Sequence, residues 1–188
     1  DLALTDASGA VGHHFVCVRP AVGTRGARLL LVLATNTYHA YNYWGGASAY
    51  ADVTSLMRGA KRLPEAMQDA IGVLSTERPF APMLVDAPDD MPRLVNLRPR
   101  GFGEKPWAAD PDWRLARTLS PYDGSAGFLN KWEHRFVAWA EAEGIAIDYA
   151  TDRDLETDAA ALDGYACVAL VGHSEYWSGG QRDAIEAY

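Results

Sequence analysis

Two short segments hold the residues best equipped for chemistry. The first, TNTYHAYNYWGGASAY, contains Thr37, Tyr38, His39, Tyr41, Asn42, Tyr43, Trp44 and Tyr50, and the second, GHSEYWS, contains His173, Ser174 and Glu175. Three roles are open to the second segment. As a nucleophile, Ser174 would sit in G-H-S-E-Y, which approaches the G-x-S-x-G strand-to-helix elbow, but Tyr176 stands where a second small residue is needed. No histidine follows Ser174 to complete a hydrolase-order triad, and a capping or backbone-bonding hydroxyl is its plainer role. As a metal site, Glu175 follows an apolar run, where an ionised carboxylate is costly unless a cation or donor compensates it. His173, two residues earlier, falls on the same side of an extended chain, and phenolate oxygens from the first segment are hard anionic donors that suit ferric iron. As an ordinary polar loop, each residue has a structural role: a tyrosine anchors with its hydroxyl bonded, and a histidine is satisfied locally.

Each segment follows a strand. The run Leu29 to Leu33 in ARLLLVLATNT and the run Val168 to Val171 in YACVALVG are unbroken and apolar, as in strands covered on both faces of a parallel sheet. Parallel neighbours end at the same rim, so the two segments are expected to face one another there. Between them, Phe128, Trp132, Phe136 and Trp139 recur at i, i+4, i+8 and i+11, predicting an amphipathic helix over KWEHRFVAWAEAEG that Gly144 stops. IAIDYA reads as a strand, TDRDLETDAAAL as a helix capped by Thr151 or Asp152, and SGGQRDAIEAY as a helix with Ser178 as N-cap. Alternation of this kind specifies an α/β layer.

The bulk properties exclude other classes. The 188 residues are 48% apolar with no run long enough to span a bilayer, and the formal charge of −8 is spread along the chain. Neither nucleic acid nor a membrane is an expected partner. Cys17 and Cys167 lie in apolar runs and read as small buried thiols rather than a disulfide. The chain starts at Asp1 and stops at Tyr188 inside a helical pattern, so a fragment of a longer protein is expected. The expected organisation is a lead-in strand or tail of a preceding β-rich domain over 1–26 and an α/β domain over 27–188, C-terminally incomplete. A long Pro- and Trp-rich loop or insertion is expected at about 75–127.

The blocks TNTYHAYNYWGGASAY, LSTERPF, GIAIDYATDRDL and GHSEYWSGGQRDAIEAY resemble the catalytic region of the N,N-dimethylformamidase large (beta) subunit-like family. The resemblance implies a flavodoxin-like (class I glutamine-amidotransferase-like) parallel sheet with helices on both faces. It also implies one iron ion, ferric, held by two tyrosinates and a glutamate, and hydrolysis of the C–N bond of a small amide. Carried over, the metal ligands are Tyr38, Tyr50 and Glu175, with Tyr41 as the reserve ligand. His173 becomes the base, so His173 and Glu175 are the catalytic pair. Tyr41, Asn42, Trp44 and Phe80 are candidates for the substrate pocket. The tyrosine spacing and the residues at Trp44 to Gly46 depart from dimethylformamidase proper, which puts the substrate in question. The resemblance further implies a cytoplasmic bacterial protein that forms an oligomer, with a small accessory subunit as a further partner. The contrasting expectation is an amidotransferase-like domain that binds a partner or supports structure without catalysis.

Overall fold

The computed structural model describes residues 2–21, 23–42, 44, 48–49, 73–80, 84, 127–128, 132–158 and 160–188. Tyr43, Tyr50 and most of the expected insertion at 75–127 therefore lie outside the described residues. The described elements are β1 (Leu2–Thr5), β2 (Val11–His14), β3 (Leu29–Leu33), α1 (Thr35–Tyr41), α2 (Glu133–Ala142), β4 (Ile147–Thr151), α3 (Asp152–Thr157), β5 (Cys167–Leu170) and α4 (Gly179–Ala187).

β3 is the centre of a parallel sheet of order β4-β3-β5. Its Leu31 pairs with Tyr149 on one side and with Ala169 on the other. Alternation along β3 then divides the core. Leu31 and Leu33 join Tyr38, Tyr41, Phe80 and Val137 in one cluster, with Phe136 packed against it. Leu30 and Val32 join Ala150, Leu155 and Leu162 in the other, packed by Ala184 and Ile185. Because successive side chains of a strand point to opposite faces, α1 and α2 cover one face of the sheet while α3 and α4 cover the other. The chain is thus a mixed α/β protein with a three-stranded parallel sheet and four helices among its described residues.

Local chemistry sets the helix boundaries. Thr151 and Asp154 form a capping box at the start of α3, and Ser178 and Gln181 form one at the start of α4. Gly144, at φ 71°, ends α2 in the left-handed conformation, with the Ile145 N–H returning to the Ala140 carbonyl at 2.8 Å.

Three expectations are corrected. The aromatic stripe of α2 is not the buried face: Trp132 and Trp139 are 43% and 51% exposed, and the helix instead buries Glu133, Val137 and Ala140. Small side chains let the helix approach the sheet, and Glu133 is tolerated there because a tyrosine hydroxyl meets it. β5 is only half-buried because it lies at the edge of the described sheet. For the same reason Cys167 is exposed rather than buried; both cysteines are free.

β1 and β2 form an antiparallel hairpin whose continuation is tied to the α/β layer. The Phe80 N–H bonds the His13 carbonyl at 2.7 Å, Phe15 and Cys17 pack on the first core cluster, and Arg19 pairs with Asp154 at 2.5 Å. No helix among the described residues is long and apolar enough to cross a membrane.

Candidate active site

β3 and β5 are bonded parallel neighbours, so the segments that follow them emerge on one rim. β4 lies on the opposite side of β3, which makes the end of β3 the point where the chain's winding reverses. In parallel α/β sheets ligands bind in the crevice at such a point.

The segment after β3 turns at Ala34 into the seven-residue helix α1, TNTYHAY. Only Ala40 in it is a strong helix former, and a helix this short is marginal by itself. It is held from outside at both ends. At its start, the Asn36 N–H donates to the Asp152 carboxylate at 2.8 Å. At its end, the Arg78 guanidinium donates to the carbonyls of His39 and Asn42, each at 3.0 Å, and of Trp44 at 3.1 Å. Negative charge at a helix start and positive charge at its end both favour the helix dipole.

α1 in turn holds the loop after β5. The Glu175 N–H donates to the buried Thr37 hydroxyl at 2.9 Å. The Asn36 side-chain amide donates to the Tyr176 carbonyl at 3.0 Å and reaches the Gln181 side-chain oxygen at 3.4 Å. Gly172, at φ 85°, begins the loop beside Trp132, where a β-carbon would collide with the indole.

These contacts bring three polar side chains together. The Tyr41 hydroxyl lies 3.2 Å and 3.3 Å from the two carboxylate oxygens of Glu175, and His173 Nδ1 lies 3.1 Å from Glu175 Oε1. The His173 and Glu175 side chains are 43% and 37% exposed, so a ligand can reach them. With Nδ1–H directed at the carboxylate, Nε2 is left as the basic nitrogen of the ring.

Tyr38, the first expected ligand, points elsewhere. It is 2% exposed, and its hydroxyl donates to Glu133 Oε1 at 2.5 Å. Burial raises its pKa, and the adjacent Glu133 carboxylate raises it further. Burial likewise raises that of Glu133, against the opposing effect of the Tyr38 hydrogen bond. While this pair persists, Tyr38 is a neutral hydrogen-bond donor. Tyr50 lies outside the described residues.

The other expected pocket residues have structural partners. Phe80 is 1% exposed and packs against His14, Phe15 and His39 at centroid distances of 5.0, 5.3 and 4.9 Å. The Asn42 side-chain amide donates to the Pro79 carbonyl at 2.9 Å while its oxygen accepts the Trp44 N–H at 3.1 Å. Trp44 lines a cleft with Leu4, His13, His14 and Pro79. The Ser174 hydroxyl accepts the Trp177 indole N–H at 2.5 Å, an anchoring contact that supplies no base for a nucleophile.

Sequence reasoning passed over Asp152 as anything beyond a possible cap. It is 2% exposed, and burial pushes its carboxyl up to about 6, against the opposing effect of the Asn36 N–H. Its position at the junction of a strand and a helix start was the available signal.

Among the described residues no group of three or more His, Cys, Asp or Glu side chains is placed to hold a metal. The donor chemistry at the rim fits one: Tyr41 and Glu175 offer a phenol and a carboxylate about as far apart as two oxygens sharing one ion at about 2 Å each. The search of curated proteins found no match. The family described as N,N-dimethylformamidase beta subunit-like, C-terminal, matches residues 1–188, the whole chain.

Proposed function

Since the chain belongs to the N,N-dimethylformamidase beta subunit-like, C-terminal family, we propose that it hydrolyses the C–N bond of a small amide at the Tyr41–His173–Glu175 cluster. The supporting observation is the convergence of these three side chains at the shared end of β3 and β5. The finer fold reading, a flavodoxin-like sheet of the class I glutamine-amidotransferase kind, belongs to this proposal.

Glu175 and Tyr41 would hold one ferric ion, with Tyr50 as the second tyrosine; Tyr41 takes the place first assigned to Tyr38, whose hydroxyl is committed to Glu133. When bound, the ion supplies Lewis acidity toward the amide carbonyl. His173 accepts a proton at Nε2 from the attacking water and returns it to the leaving amine. Glu175 orients the imidazole through Nδ1 and stabilises the imidazolium that forms. Thr37 and Asn36 keep the loop carrying both residues against α1.

The test is metal analysis, a visible spectrum and amide turnover on the full parent protein. A coloured, iron-containing protein that releases amine from N,N-dimethylformamide is expected. His173→Ala is expected to retain iron and colour while turnover falls by about 100-fold or more. A colourless, iron-free and inactive parent protein overturns the reading and leaves the non-catalytic one. Within the same proposal, the family's subunit nomenclature supports assembly with further copies or with a smaller chain.

A further inference from the structure

We propose that the hollow at the start of β3 and β5, on the edge of the sheet opposite the candidate active site, is a second ligand site that takes a small carboxylate with an apolar body, its head held by Arg25 and Arg28. The inference is independent of the amidohydrolase reading. The hollow, of about 740 Å³, is lined by Arg25, Arg28, Leu29, Ile145, Ala166 and Cys167, among others. Among the described residues no carboxylate lines it, and none pairs with either arginine. Asp158 and Asp163 line a neighbouring cleft that shares Arg25.

Both arginines are fixed from behind. Between them, the Gly26 and Ala27 N–H groups donate to the buried Asp148 carboxylate at 2.9 Å and 3.1 Å, and the Tyr165 hydroxyl donates to the same oxygen at 3.0 Å. The charge of Asp148 is thus met by three donors. Arg25 donates through Nε to the Asp163 carbonyl at 2.6 Å, and its guanidinium carbon stands 5.7 Å from the centre of the Tyr165 ring. Gly164 makes room for it, because a β-carbon there would collide with the guanidinium. These contacts occupy one nitrogen and leave the two terminal ones of the fork without a partner. The Arg28 carbonyl accepts the Ala166 and Cys167 N–H groups at 2.8 Å and 3.3 Å, which fixes its backbone at the strand start. A guanidinium fork held in this way matches a planar carboxylate at little cost in side-chain freedom. The rest of the lining is chiefly apolar, with Ile145 38% exposed. An organic body loses water-exposed surface against it, whereas a fully hydrated inorganic anion gains nothing there.

Cys167, an exposed free cysteine in the lining, reports on the hollow from within. The measurement is the rate at which iodoacetamide alkylates Cys167 in the full parent protein at constant ionic strength, followed by peptide mass spectrometry. Benzoate is expected to slow the reaction in a saturable way, and benzamide, its neutral counterpart, to leave it within about twofold. Arg25→Gln and Arg28→Gln are each expected to raise the benzoate concentration for half-protection about tenfold. Arg25→Lys, which keeps the charge and loses the fork, is expected to recover only part of that loss. No protection by benzoate, equal protection by benzamide, or protection unaltered in both glutamine variants overturns the proposal. Equal protection by inorganic phosphate overturns the carboxylate assignment, since it marks a general attraction for anions. A Cys167 that resists alkylation in the parent protein means that the hollow is covered, and overturns the proposal as well.

Discussion

The Tyr41 hydroxyl sits within 3.3 Å of both carboxylate oxygens of Glu175, across 134 residues of chain. Tyr38, one helical turn earlier on the same helix, points its hydroxyl into the core at Glu133. Residues three apart on a helix lie on neighbouring faces, yet this helix sends one phenol to the rim and the other beneath it. The two tyrosines thus perform different work, and single substitutions should separate them.

Tyr41→Phe is expected to weaken and shift the visible tyrosinate band, since Tyr50 remains as the second tyrosine, and to reduce the iron content. Tyr38→Phe is expected to keep both and to lower stability by about 1–3 kcal/mol in urea denaturation, since it leaves the buried Glu133 carboxyl without its donor. The opposite result, colour lost only with Tyr38→Phe, would return the ligand role to Tyr38.

Thr37→Val preserves shape and removes the acceptor for the Glu175 N–H. A loss of about 1–2 kcal/mol in stability is expected, together with weaker iron retention on dialysis against a chelator. Thr37→Ser, which restores the hydroxyl, should recover the iron retention. Failure of serine to do so would show that the hydroxyl does not position the loop.

Asp152 makes stability depend on acid in a stated direction. Its folded-state pKa of about 6 lies above the ordinary 3.8 because burial disfavours the charged form. The native state therefore holds this proton more tightly than the unfolded chain does. The contribution is complete below pH 3.8 and is lost as pH rises through about 6. Asp152→Asn, which keeps an oxygen for the Asn36 N–H, is expected to flatten this part of the pH–stability profile and to add about 1–3 kcal/mol at pH 7. Denaturant midpoints measured from pH 4 to pH 7 check it, and a variant with an unchanged slope would contradict the assignment.

Arg78 caps α1 with a planar fork that a point charge cannot reproduce. Arg78→Lys is expected to recover less than half of the stability lost in Arg78→Ala, itself about 1–3 kcal/mol. Amide exchange of α1 should accelerate in both variants relative to that of β3.

Most of the layer was legible in the sequence because its causes are local. The apolar runs Leu29 to Leu33 and Val168 to Val171, which become β3 and, one residue earlier, β5, the capping residues Thr151 and Ser178, and the Gly144 stop each act within a few residues of the structure they create. The placing of His173 and Glu175 on one side of the chain, two positions apart, was also open to the sequence, while their contact at 3.1 Å is what the structure adds.

Tertiary structure decided what depended on distant partners. TNTYHAY has little helical preference, and α1 exists because Asp152, beyond β4, and Arg78 satisfy its ends. Which tyrosine reaches Glu175 follows from the rotation of that helix, set by Glu133 across 95 residues. The buried face of α2 escaped hydropathy for the same reason, since it includes a glutamate whose burial makes sense only once the Tyr38 hydroxyl is in place. A buried polar group is tolerated through its partner, and no local pattern in the sequence names a partner so far along the chain.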